Sequence, residues 1–323
     1  MASYVLFGGT GFIGTHLARN FTEKDPNVRV FLCDIRPMKG EQIDNVEYVE
    51  CDVRKSINDP KLLKLKPDWI FNLAAVHREP GHKAIEYFET NIPGAENVNE
   101  YAEKTGCNKI YFTSSIAVYG PCHSSTNEQK LPQPITPYGG SKYPAELIHI
   151  KWQEKQKNRR LIISRPGVVY GPGDPGNIMR MIKAIDKGYF FFPGSKNIYK
   201  SYAYIYGFIE SIEFTMAQQE KLILYNYVEH PTETIGQIAE IVKNFLHRKT
   251  PIISLSKRLL VPVSWLMQAF FGKKNPIHPI RVKKASLPTH IVPQYLIDNN
   301  FNFKYDFKAS LEHWKSVKPD DFA

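Results

Sequence analysis

Tyr138 and Lys142 stand four residues apart in Tyr138-Gly-Gly-Ser-Lys142, with Pro137 just before them. On a helix that spacing puts both side chains on one face. A phenol with a pKa of about 10 is a poor base at neutral pH, and an ammonium within reach favours its phenolate. The run Lys109-Ile-Tyr-Phe-Thr113 reads as a strand that delivers Thr113-Ser114-Ser115 at a sheet edge. Ser115 can offer its hydroxyl to the same substrate oxygen as Tyr138. Such a group moves a proton on an alcohol or carbonyl. Taken alone, a Tyr-x-x-x-Lys pair reads as an ordinary surface pair, so its weight depends on the rest of the chain.

The chain opens with the elements that give it that weight. Ser3-Tyr4-Val5-Leu6-Phe7 is a short apolar run. It leads into Gly8-Gly9-Thr10-Gly11-Phe12-Ile13-Gly14, and His16, Leu17, Ala18 and Phe21 continue as an amphipathic stretch. Strand, tight turn and helix in that order bring bare backbone N–H groups to a helix N-terminus, where a dinucleotide pyrophosphate binds. Val28 to Cys33 reads as the second strand and ends in Asp34. A carboxylate there accepts the hydrogens of an adenosine ribose diol and repels a 2′-phosphate, which points to NAD; Arg36, two residues on, is the feature that suits NADP. Bound nicotinamide moves a hydride while Tyr138 moves the proton.

Other residues fall at strand ends, where ligands bind an open parallel sheet. Asp52-Val53 follows the strand Val46–Val49, and the acid reads either as a partner for the adenine amino group or as a turn residue. Trp69–Asn72 is followed by Leu73-Ala74-Ala75, small enough for a flat cofactor to lie against the backbone. His77 and Arg78 come next, facing pyrophosphate or substrate in one reading, with His77 a structural histidine in the other. Ala84 to Lys104 reads as a long helix interrupted near Pro93-Gly94.

A chain of 323 residues can hold a large core, and nothing in it is repetitive or low in complexity. The expected class is α/β: a Rossmann doubly wound parallel sheet over 1–170, with some later segments returning to it, and a smaller C-terminal α/β substrate lobe over 171–323. Cys33, Cys51, Cys107 and Cys122 show no metal-ligand spacing and read as reduced thiols of a cytoplasmic protein. No metal site is expected. The net charge is +10, and between Ile241 and Ile297 there are ten Lys or Arg and no Asp or Glu. That excess suggests an anionic partner. The apolar stretch Leu259–Phe271, flanked by Lys257-Arg258 and Lys273-Lys274, is too short to span a bilayer, which takes about 20 residues. It reads first as a buried lobe helix and second as a peripheral contact of 257–274 with an anionic membrane. No nucleic-acid-reading motif accompanies the charge.

These motifs resemble the extended short-chain dehydrogenase/reductase family, in the branch of NAD-dependent sugar epimerases and dehydratases. The resemblance rests on Gly8–Gly14, Asp34, Asp52-Val53, Asn72-Leu-Ala-Ala75, Thr113-Ser-Ser-Ile-Ala-Val-Tyr-Gly120, Tyr138–Lys142 and Arg165-Pro-Gly-Val-Val-Tyr-Gly-Pro-Gly-Asp174. It implies Ser115, Tyr138 and Lys142 as the catalytic triad, with Tyr138 as acid and base and Lys142 also holding the nicotinamide ribose. It implies cofactor contacts from Gly8, Gly11, Phe12, Ile13, Gly14, Asp34, Asp52, Val53, Leu73, Ala74, Ala75 and Thr113, with Pro166 and Val168 near the nicotinamide. Relatives that dehydrate carry Asp-Glu where this chain has Ile116-Ala117, which argues against a 4,6-dehydratase. Val168 replaces an Asn common in epimerases, and Lys200 stands where an Arg commonly pairs a nucleotide phosphate, keeping the charge without the fork.

Gly176–Arg180, Lys187-Gly188 and Pro193-Gly194-Ser195 resemble the branch that works at C4 of amino-sugar nucleotides. That likeness places Asn177 and Arg180 at the substrate cleft and Lys200 and Arg281 near the diphosphate, while His77 is a substrate candidate by its place after the strand end. The leading expectation is an NAD-dependent epimerase that transiently oxidises a sugar carbon, C4 first, of a nucleotide-activated hexose, as a homodimer built on the two long helices. The rivals are a ketoreductase of a 4-keto nucleotide sugar, an enzyme like the hydroxysteroid dehydrogenases acting on an apolar alcohol, and a non-catalytic NAD-binding subunit.

Overall fold

The computed structural model describes residues 1–38, 40, 42–78, 81–174, 176–256, 262 and 286–322. The stretch 257–274, apart from Pro262, and Arg281 lie outside the described residues.

Seven strands form the central sheet: β1 Ser3–Phe7, β2 Arg29–Asp34, β3 Val46–Glu50, β4 Trp69–Asn72, β5 Lys109–Thr113, β7 Arg160–Pro166 and β11 Leu222–Tyr227. Their order is β11-β7-β5-β4-β1-β2-β3, and every neighbouring pair is parallel. Parallel strands bury both faces, and their sequences are accordingly near-continuous apolar runs rather than alternating ones. The order reverses at β1, leaving a crevice outside the C-terminal ends of β1 and β4, where such sheets bind ligands. Helices α1 Phe12–Lys24 and α6 Ile205–Ala217 cover one face over Leu6, Leu32, Phe71, Tyr111 and Ile162. Helices α3 Ala84–Thr105 and α4 Pro137–Glu154 cover the other over Val5, Phe7, Ile70, Ile110 and Phe112.

One expectation about an element needs revision. Helix α3 runs through Pro93-Gly94 without a break. Proline removes only its own N–H from the ladder, and the side-chain-free Gly94 lets the helix rest against Val53, whose Cγ2 is 3.2 Å from where a Cβ would stand. Packing on α4 then outweighs the local penalty, with Asn99 Nδ2 donating to the Ile148 carbonyl at 3.1 Å. The sheet is completed late: β11, beyond residue 170, pairs with β7 from Leu222↔Leu161 to Tyr227↔Pro166.

The remaining elements form short parallel pairs. Strand β8 Val168–Tyr170 pairs with β10 Tyr202–Tyr204, β9 Phe191–Pro193 with β12 Ile253–Leu255, and β6 Cys122–Thr126 with β13 Thr289–Ile291. Helices α5 Asn177–Asp186, α7 Ile235–Phe245, α8 Gln294–Asp298 and α9 Phe307–Val317 complete this side, and α2 Pro60–Leu63 is a single turn before β4. No helix among the described residues is long and apolar enough to cross a membrane.

Candidate active site

Helix α4 begins where its sequence says it must. Thr136 caps it, its hydroxyl accepting from the Gly139 N–H at 3.1 Å, and Pro137 fills the first position. Gly139 has no room for a side chain, because a Cβ would meet the Ala117 carbonyl oxygen at 2.3 Å. This contact presses the first turn of α4 onto the 3-10 turn Ile116–Tyr119, which Ser115 caps through its Oγ. Ser115 and Tyr138, 23 positions apart in sequence, come together there, with the Ser115 hydroxyl close enough to favour the Tyr138 phenolate. Lys142 follows one turn later, 2% exposed, with its ammonium 4.5 Å from the Phe112 ring centroid.

Burial dominates the electrostatics of this group. It pushes the Tyr138 phenol up to about 12, against the opposing effect of the Ser115 hydroxyl. It pulls Lys142 down to about 7, against the attraction of Glu146. The expected lowering of the phenol by Lys142 is therefore not what the protein groups produce by themselves.

A polar network lies under the pair. Glu146, one turn beyond Lys142, takes both Nε and Nη2 of Arg165 at 2.9 and 2.6 Å and accepts from Ser114 Oγ. Arg165 Nη1 donates to the Tyr119 hydroxyl at 2.8 Å, and that hydroxyl donates to Asn226 Oδ1 at 2.9 Å. Asn91, on α3, bonds Val76 N–H through Oδ1 and Ser141 Oγ through Nδ2 at 3.0 and 2.8 Å, and Ser141 donates to the Tyr138 carbonyl. His149, on α4, bridges Asn99 Oδ1 at 2.6 Å and Asn72 Nδ2 at 3.0 Å. Burial, with Lys142 nearby, lowers His149 to about 3, so its ring is neutral.

The glycine turn fits a dinucleotide. Gly8 has φ +74°, and a Cβ there would stand 2.6 Å from the Ala74 backbone, which closes the turn against the end of β4. Gly11 caps α1, and a Cβ there would meet only the Gly8 carbonyl oxygen at 3.1 Å. Asp34 ends β2. Thr113 Oγ1 and Asn72 Oδ1, buried at the ends of β5 and β4, have no hydrogen-bond partner among the described residues. Unpaired buried polar atoms at a ligand-binding sheet edge fit a polar ligand that completes them.

A family model for the NAD dependent epimerase/dehydratase family matches residues 4–219. The chain belongs to that family. It is 28% identical over 316 residues to the N-acetyl-alpha-D-glucosaminyl-diphospho-ditrans,octacis-undecaprenol 4-epimerase of Escherichia coli O157:H7, which covers 95% of this chain and 92% of that protein. It is also 28% identical over 194 residues to the UDP-glucose 4-epimerase of Vibrio cholerae, covering 58% of this chain and 57% of that one. Among solved structures, the UDP-N-acetylglucosamine 4-epimerase from Bacillus cereus superposes with a TM-score of 0.75 at 18% identity, over 99% of this chain and 100% of that one.

Within the family frame, the residues singled out from sequence divide into those at the crevice and those tied elsewhere. Gly8, Gly11, Phe12, Ile13, Gly14, Leu73, Ala74, Ala75 and Thr113 lie in the turns and strand ends around it. Pro166 ends β7, and Val168 opens β8 with an exposed side chain. His77 follows β4 with the Ala75 carbonyl beside its ring; desolvation, Arg78 and Lys142 lower its pKa, which sets it near Lys142. Asp52 is taken by Arg54, which binds both its oxygens at 2.7 to 3.1 Å, so the turn reading accounts for it. Val53 packs under Gly94. Asn177 and Arg180 open α5 and bond each other at 2.6 Å. Lys200 donates to the Leu287 carbonyl, so its ammonium is engaged by backbone.

Sequence reading assigned no role to Glu146, Asn91 or His149, and took Asn72 only as part of the Asn72-Leu-Ala-Ala75 motif. Only Glu146 had a signal: it extends Tyr138-x-x-x-Lys142 by one more turn on the same helix face. The others are joined by contacts 15 to 77 residues apart, which no local pattern announces.

Proposed function

We propose that the protein is an NAD-dependent 4-epimerase acting on a hexose joined to its carrier through a diphosphate, and that it serves polysaccharide assembly on the cytoplasmic side. The observation that carries this reading is the pairing of Ser115 with Tyr138, with Lys142 one helical turn away, at the crevice end of β4 and β5 in a member of this family. Gly8, Gly11, Gly14 and the first turn of α1 would hold the NAD pyrophosphate, Asp34 the adenosine ribose, and Lys142 the nicotinamide ribose. NAD held there would supply a reversible hydride acceptor for the sugar carbon and a positive charge that favours the Tyr138 phenolate. Tyr138 takes the proton of the sugar hydroxyl and later gives it back. Ser115 hydrogen-bonds the same oxygen and holds it in reach. Glu146 favours the charged form of Lys142 against its burial, and a charged Lys142 beside bound cofactor would add to the pull toward the Tyr138 phenolate. Residues from 171 on, apart from α6 and β11, form the substrate side. A homodimer through α3 and α4 is part of this reading; Ile85 and Leu147 are large apolar side chains exposed on those helices.

The carrier is first a nucleotide. A polyprenol is the second reading. It is favoured by the relative that spans 95% of the chain, named for a polyprenol diphosphate sugar, and by the acid-free, basic stretch 241–297. In this second reading the protein sits against a membrane surface.

The test has two stages. About one NAD per chain, released on denaturing the purified protein, supports an enzyme that regenerates its cofactor in place. The NAD-loaded protein is then assayed with UDP-N-acetylglucosamine and with an N-acetylglucosaminyl polyprenyl diphosphate, reading the 4-epimer. Tyr138→Phe is expected to lower turnover by at least about 100-fold with NAD content unchanged. Turnover surviving that change overturns the acid/base assignment. No epimer from either sugar overturns the function, and net NADH consumption with a 4-keto sugar replaces it with the reductase.

A further inference from the structure

The chain between β8 and α5 is held from two sides. Tyr170, the last residue of β8, bonds Glu229 and, at 2.5 Å, Ser310 Oγ on α9. Three residues on, the Gly173 N–H donates to Asp321 Oδ2 at 3.0 Å, across 148 positions of sequence. Gly173 has φ +81°, and a Cβ there would meet Lys318 Nζ at 3.4 Å, so the bare backbone faces the C-terminal segment directly. Asp321 is itself oriented: the same oxygen accepts from Trp314 Nε1 at 2.8 Å, and Lys318 Nζ lies 3.7 Å from Oδ1. On the other side, the Pro172 carbonyl faces His16, whose Nδ1 is 2.9 Å from the Phe12 carbonyl in the first turn of α1. Adjacent residues of one loop thus touch the cofactor helix and the C-terminal segment. Downstream, the Asp174 carboxylate curls over the Gly176 N–H, and α5 begins at once with Asn177 and Arg180.

We propose that Asp321 is a positioning residue for the substrate: by holding the Gly173 amide it sets where the chain leaves β8 and therefore where Asn177 and Arg180 stand at the cleft. This rests on the reading of α5 as the sugar-facing side. Asp321 has no contact with Tyr138, Ser115 or Lys142, so it acts on the hold of the sugar and not on the proton or hydride steps.

The experiment uses the NAD-loaded protein and three variants. Asp321→Ala is expected to raise KM for the diphosphate sugar about tenfold, with kcat within about twofold and NAD content unchanged. Asp321→Asn keeps an oxygen for the Gly173 N–H and brings KM back to within about twofold of the parent. Trp314→Phe removes the other donor and some packing, and is expected to lower Tm without moving KM. An unchanged KM in Asp321→Ala overturns the proposal, as does a rise in Trp314→Phe equal to that in Asp321→Ala. Amide exchange in the peptide carrying Gly173 gives a readout that needs no substrate. About 100-fold faster exchange in Asp321→Ala, and not in Asp321→Asn, supports the hold; unchanged exchange overturns it. A parent protein that epimerises neither sugar while showing this exchange pattern refutes the functional reading alone.

Discussion

Two buried glutamates meet opposite surroundings. Glu146, 1% exposed, has both oxygens on the Arg165 guanidinium and a third bond from Ser114. Burial pulls the guanidinium pKa down, and the bonds and charge of Glu146 more than reverse this. Glu229, 6% exposed, accepts from the Tyr170 hydroxyl, faces the negative charges of Glu233 and Asp306, and forms no ion pair among the described residues. Burial, with those carboxylates adding to it, pushes Glu229 up to about 8. The first is an ion pair that ties the two segments carrying the candidate catalytic residues, the end of β5 through Ser114 and α4 through Glu146, to β7 through Arg165. The second is a carboxyl kept neutral over much of the pH range, bonded to Tyr170, which in turn holds Ser310 on α9. Equal burial teaches little about a carboxylate's charge; the partners decide it.

Glu146→Gln should break this contrast most strongly. It leaves Arg165 buried without its counter-charge, and a loss of about 3–5 kcal/mol in unfolding free energy is expected, read by denaturant titration. Replacing both partners, Glu146→Leu with Arg165→Met, should recover most of that stability, since a buried pair is often no better than an apolar one. Turnover of the double variant should stay at least about tenfold below the parent, because Lys142 has lost the group that keeps it charged. Full turnover in the double variant would make the pair purely structural.

Glu229→Gln should act in the opposite direction at alkaline pH. The folded carboxyl has a pKa above its ordinary value of 4.5. Its contribution to stability is therefore full below about 4.5 and is lost as pH rises towards about 8. The parent protein should lose about 4–5 kcal/mol across that window from this group. Glu229→Gln should be flatter, and more stable than the parent at pH 8, in thermal melts taken from pH 5 to pH 9. A residual slope of the same sign is expected from Glu233 and Asp174, raised by burial to about 7 and about 6. A variant that keeps the parent's full slope would show that Glu229 is charged in the fold. The smallest effect is expected from Ser310→Ala, which removes one bond to Tyr170 and should cost about 1 kcal/mol without changing that pH slope.

The sequence determined the frame of this protein by itself. A strand, three glycines at three-residue spacing and an amphipathic stretch specify the first βα unit, because only local backbone geometry and apolar periodicity are involved. The same holds for Tyr138 and Lys142, which one helical turn places together, and for Ser115, which sits at the end of a readable strand. The tertiary structure alone decided which charges have partners. It engaged Lys200 with a backbone carbonyl and Asp52 with Arg54, and it carried α3 through a proline. It also joined Glu146 to Arg165, Asn72 to His149 and Gly173 to Asp321. The physical reason is range. Helix faces and turns are written within a few residues, whereas desolvation and ion pairing depend on whatever distant chain closes over a side chain.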